Sequence, residues 1–271
     1  RGLQRRLVRN QVAALFENGE EADLFRAALL IAKLDDPEVD VGHYEQQLKT
    51  MASEVKARFA DEEDDASKLK KVIAYLFQEN GFHGSRQDYY NRANSYMNRV
   101  LDDREGLPIT LSVLVMELAA ACGIDGVAGV GAPGHFIIRH AGGDTEQFID
   151  PFDGGNYLGR TDAEEMVRTN TGRAPVPGDL AKSTDREIVL RMLRNLMGAL
   201  PEEGSPAELL RYVETVVTLQ PDSAFDRWSR AVLLIQDRRY DAANKDLEWL
   251  LQTKPAGLDL DRVQQLYQSL Q

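Results

Sequence analysis

Two short runs rich in β-branched and aromatic residues, Phe136 to His140 and Thr145 to Ile149, flank Ala141-Gly142-Gly143-Asp144. A glycine pair supplies the positive φ angles of a tight two-residue turn, so this stretch predicts a β-hairpin. Much of the remaining chain has apolar residues at helical spacing. The chain therefore reads as a small antiparallel hairpin set among helices.

A turn at Gly142-Gly143 sets Arg139 opposite Glu146, Ile137 opposite Phe148 and His135 opposite Asp150. Cross-strand neighbours have Cβ atoms about 5 Å apart, close enough for a carboxylate to accept a hydrogen bond from an imidazole. The acid then holds the ring tautomer and leaves the second nitrogen available as a base. The pair reads either as the base and orienter of a catalytic triad or as a histidine satisfied by an acid at a sheet edge. His140 points to the opposite face from His135.

A nucleophile is the missing member. Pro108 suits the first turn of a helix ending at Cys122-Gly123, with Leu111, Leu114, Val115 and Leu118 on its buried side. Cys122 is the single cysteine. It stands about 21 Å from the helix start at 1.5 Å per residue, where the negative end of the helix dipole disfavours a thiolate. It reads as a small buried residue. Thr110 and Ser112 are the hydroxyls near the helix start, and Ser112 is the candidate nucleophile, although neither lies in a GxSxG elbow. Asn91, Asn94 and Tyr96 either line a binding cleft beside the pair or fix a loop.

Residues 1–80 form a helical N-terminal region. Val12, Leu15, Leu24, Ala28, Leu29 and Ile31 recur at threes and fours, and Tyr44, Leu48, Met51 and Val55 mark a second helix capped by Asp40. Asp61 to Asp65 make a solvated turn and helix start, and Asn80-Gly81 stops that helix. Residues 81–170 form the core, with a strand at Val127 to Val130 and a helix after Asp162 as cap. Residues 171–186 are rich in Gly, Pro, Ser and Thr and read as a linker.

Residues 187–271 carry a repeat. Pro221 and Pro255 are 34 residues apart, the tetratricopeptide period. Counting back from each places helices at 224–236 and 240–252, with a degenerate earlier pair at 190–200 and 207–219 and a capping helix at 258–270. Trp228 and Trp249 read as packing residues.

The net charge of −12 argues against nucleic acid or an anionic membrane as partner. The basic opening RGLQRRLVRN is a local exception. No apolar run reaches the roughly 18 residues of a membrane span, and no secretory signal is visible, so a cytoplasmic protein is expected; because the chain begins at Arg1, a processed start stays open. His43, His83, His135 and His140 lack metal-ligand spacing, and the acidic block lacks the alternation and glycine of a calcium loop. No metal or cofactor is expected.

LLIAKL, the segment from FQENGFHGSRQDYYNRANSYMNRV through REGLPITLSVLVMELAAACGI to GAPGHFIIR, FIDPFDGG and RMLRNL together resemble the SirB1 family, from about Ala28 to Pro255. That family joins a transglutaminase-like core to tetratricopeptide-type repeats. The resemblance implies the α+β fold of papain-like enzymes with a small antiparallel sheet, with His135 as base and Asp150 as orienter, and a cysteine near Pro108. This chain has Gly106-Leu107-Pro108-Ile109 instead. The expected function is a non-catalytic or regulatory module that binds a protein or peptide, of neutral or basic character by charge; the alternative is a hydrolase or acyl-transfer enzyme of unusual mechanism centred on the pair.

Overall fold

A helix that is apolar on every side must be surrounded, and the one beginning at Pro108 is: Leu111, Val113, Leu114, Val115 and Leu118 are all fully buried. The structure, a computed structural model, describes residues 2–142, 145–200 and 205–270; of Thr145 only the backbone is described. The chain divides into two units, residues 18–192 and residues 1–17 with 193–271.

In the first unit, α2 (Leu24–Lys33), α3 (Val41–Lys56) and α4 (Asp65–Ile73, extended by a π-helical segment to Glu79) precede the core, following α1 (Gly2–Ala14) of the other unit. Asp23, Asp40 and Asp64 cap them by accepting from the backbone N–H of Arg26, His43 and Ser67. β1 (His83–Gly84) pairs in parallel with β2 (Glu105–Gly106), the two being separated by α5 (Met97–Asp103). Helix α6 (Pro108–Ala121) packs against α2, α3, α4 and the sheet that follows.

That sheet is an antiparallel meander in the order β3 (Val127–Val130), β4 (Ile137–Gly142), β5 (Thr145–Asp150) and β6 (Asn156–Leu158). Val130, Ile137 and Phe148 pack with Ala163 and Val167 of α7 (Arg160–Thr171). Asp162 lies inside α7 rather than capping it. Its carboxylate accepts from the N–H of Gly159, the true cap, because three residues is the reach of a side chain folding back over the first turn. The fold is α+β.

The hairpin forms with its register displaced by two residues from the expectation. Arg139 pairs with Phe148 and Gly142 with Thr145, so closure falls at Gly143-Asp144, outside the described residues. The even displacement keeps every side chain on its expected face. Arg139 still reaches Glu146, now diagonally, at 2.6 Å.

The second unit contains α1 and the end of α8 (Asp185–Gly198), within which the division falls. It continues with α9 (Pro206–Leu219), α10 (Ala224–Gln236), α11 (Tyr240–Thr253) and α12 (Leu260–Ser269). Consecutive helices from α9 onward pack side by side. Ala231, Leu247, Leu250 and Val263 form one buried cluster. Asp246, fully buried, accepts from Arg227 at 2.9 Å and from Arg230 at 2.7 Å.

Candidate functional site

Gly134 adopts φ +75°, a conformation glycine takes without strain, and turns the chain so that His135 leaves Pro133-Gly134 two residues before β4 begins. His135 is therefore not a ladder residue of the hairpin. Its position comes from the turn, where its N–H donates to Ala132 O at 3.1 Å. Arg191 of α8 fixes the same turn from outside, donating to His135 O at 2.9 Å and to Ala132 O at 3.3 Å while stacking on Phe136. Burial pushes the Arg191 guanidinium below its usual range.

Asp150 ends β5. One carboxylate oxygen lies 2.8 Å from His135 Nε2, and the other accepts from the N–H of Phe152 at 3.0 Å and of Asp153 at 3.3 Å. The carboxylate is thus held by its own Asp-Pro-Phe-Asp turn before it meets the ring. With Nε2 on the acid, Nδ1 is the remaining ring nitrogen, and it makes no hydrogen bond among the described residues. Phe152 packs its edge on the imidazole at 6.1 Å, with Tyr89 behind it at 5.9 Å.

Gly84 connects this pair to the start of α6. A Cβ there would fall 2.5 Å from the Phe152 carbonyl oxygen, so only glycine lets β1 pass beneath Phe152. Gly84 pairs with Gly106, two residues before Pro108. Beside Gly106, the Thr110 hydroxyl accepts from Leu107 N–H at 2.9 Å and donates to Asn94 O at 2.8 Å.

Ser112 is corrected as a nucleophile candidate. It is fully buried, and its hydroxyl donates to Pro108 O at 2.7 Å, one turn back in its own helix. Cys122 is buried at the far end, and burial raises its thiol pKa.

Asn91, Asn94 and Tyr96 make local contacts. Asn91 caps the following turn through Ala93 N–H, Asn94 donates to Asp88 O at 2.7 Å, and the Tyr96 hydroxyl donates to Asp35. Asn91 and Tyr96 line a cavity of about 430 Å³ with Asp35, Asp36, Asn98 and Arg99. Neither His135 nor Asp150 is among its lining residues. Sequence reasoning missed Arg191, Phe152 and Gly84. The available signal was an arginine in an otherwise apolar helix face, within RMLRNL.

A mixed α+β core with a histidine and an aspartate in hydrogen-bond contact has a counterpart among known families. The model of the transglutaminase-like superfamily matches residues 42–194. The chain belongs to the transglutaminase-like superfamily. Among its relatives, a UPF0162 protein of Xylella fastidiosa is 31% identical over 250 residues, covering 90% of this chain and 88% of the relative. One from Vibrio cholerae is 23% identical, covering 88% and 89%. Mouse F-box only protein 21 is 28% identical over 186 residues, 64% of this chain and 28% of that larger protein. Among the described residues, no helix is long and apolar enough to cross a membrane.

Proposed function

We propose that this transglutaminase-like chain, of SirB1 type with tetratricopeptide-like helical hairpins, acts in the cytoplasm by binding a protein or peptide rather than by covalent acyl transfer. The observation that carries this reading is the chemistry at the start of α6. Gly106-Leu107-Pro108-Ile109 supplies no thiol or hydroxyl, and the hydroxyls of Thr110 and Ser112 are committed to backbone carbonyls inside the protein. Covalent catalysis needs a nucleophile within hydrogen-bond reach of its base. Without one, the His135-Asp150 pair becomes a fixed polar feature of a binding face.

The test pairs an acyl-donor panel, a glutamine-containing peptide with a fluorescent amine and a set of activated esters, with intact-mass analysis. No acyl adduct and no turnover are expected. An adduct or a turnover abolished by His135→Ala in a folded protein would overturn the reading. A second reading, water activation by His135, is favoured by Nδ1 having no hydrogen-bond partner among the described residues. It predicts ester hydrolysis without an adduct, lost on His135→Ala.

A further inference from the structure

The basic opening of the sequence has no part in the His135-Asp150 site. In the unit formed by residues 1–17 and 193–271, it lines a cavity of about 450 Å³ between α1, α9 and the turn joining α10 to α11. Arg5, Arg6 and Arg9 come from α1, Arg211 from α9 and Arg239 from the turn. We infer that this cavity is a binding site for a phosphorylated small molecule.

The cations are placed by the fold. Val8 and Val12 are buried, which anchors one face of α1 and leaves Arg5 and Arg9, one helical turn apart, on a common side. Glu214 of α9 acts as a spacer, with one oxygen 2.9 Å from Arg239 and the other paired with Arg9. Arg211, a turn earlier, is 11% exposed and lies over the Tyr212 ring. Its guanidinium is thereby held in a set plane. Arg6 is exposed and makes no ion pair among the described residues.

Charge and shape select the ligand class. The lining carries five guanidinium groups and two carboxylates, Glu214 and Asp237, with Glu208 beside it 3.7 Å from Arg211, in a chain whose net charge is −12. The excess positive charge is therefore a local feature and not a property of the whole surface. Every lining cation is an arginine. The planar guanidinium fork matches phosphate geometry through paired N–H donors, which the point charge of a lysine does not. A carboxylate offers two acceptor oxygens, whereas a phosphoryl chain offers acceptors to more of these forks at once. Leu3, Ala207 and Leu210 supply an apolar wall for the body of the ligand, and the volume falls in the ordinary range for small-molecule sites.

The test is calorimetric titration of the full chain in EDTA with sodium pyrophosphate and with ATP. Citrate serves as a carboxylate control and a glutamate-rich peptide as a polymer control. Saturable binding of pyrophosphate or ATP below ~1 mM is expected, weakening as salt is raised because part of the attraction is exposed to solvent. Arg6→Glu should weaken it by about tenfold or more, with the circular dichroism spectrum and thermal midpoint unchanged. Arg239→Gln should weaken it as well. Absence of saturable binding, equal affinity of the folded Arg6→Glu variant, or binding of citrate or the acidic peptide in place of the phosphorylated probes would overturn the proposal.

Discussion

His135 Nε2 lies 2.8 Å from Asp150 Oδ2, although the two residues are not paired in the hairpin ladder. The contact joins a Pro-Gly turn on one side to an Asp-Pro turn on the other, and both side chains are largely shielded from solvent. His135→Ala leaves the carboxylate shielded without its imidazole partner, at a cost of about 1–3 kcal/mol. Asp150→Asn should cost less, because an amide oxygen can still accept from Phe152 and Asp153. Urea denaturation should give midpoints in that order below the parent. Equal midpoints would show that the pair contributes nothing to stability.

Gly84→Ala should destabilise by about 1–3 kcal/mol through overpacking, since the new methyl meets both the Phe152 backbone and its ring. Phe152 touches the His135 imidazole, so the His135 ring resonances should move in the NMR spectrum. Unmoved resonances in a folded variant would mean that Phe152 does not couple β1 to the site.

Glu117 of α6 is a half-buried acid in an apolar helix, and its pKa is pushed up to about 7 by desolvation and then by the charges of Asp23 and Asp185. The folded state thus holds this proton more tightly than the unfolded state. Stability contributed by the site is present below pH 4.5 and is lost as pH rises to about 7. The difference is on the order of 3 kcal/mol. The parent's thermal midpoint should rise from pH 7.5 to about 5.5, and Glu117→Gln should flatten that rise. An unchanged slope would refute the assignment.

Cys122 should react slowly with a disulfide reagent in the native protein and release one equivalent on unfolding. Its side chain is buried, and burial raises its pKa. Rapid native labelling would contradict its placement.

Much of the architecture was legible where local chemistry decides. Pro108 marked the start of α6, Val127 to Val130 formed the predicted strand, and the helix expected at 224–236 spans those residues. Caps at Asp40 and Asp64 follow from acids placed before free N–H groups. Asp162 shows the limit of this reasoning. An acid at the third position of a helix and one at its cap both bond the same turn, so their spacing to the apolar pattern does not separate them.

The candidate site was legible in its members and not in its assembly. His135 and Asp150 were read as a cross-strand pair, whereas their meeting depends on a turn before β4 and a turn after β5. For Asn91 and Tyr96 the sequence leaves a binding cleft and a fixed loop both open, and the structure shows local hydrogen bonds at both and a cavity that they line. Ser112 sat at the expected place in sequence, yet a bond to its own helix withdrew its hydroxyl.

The sequence alone determined a hairpin set among helices, the parity of that hairpin, the cysteine's place at the wrong end of α6 and the lack of a cysteine around Pro108. These follow from periodicities of two and 3.6 residues and from residue identity, which are local. Tertiary structure decided the hairpin's register, the Arg191 clamp on His135, the Gly84 passage under Phe152 and the gathering of arginines from α1, α9 and the α10–α11 turn. All but the register join segments far apart in the chain, and in every case packing and the satisfaction of buried polar groups choose among arrangements that local pattern leaves equal.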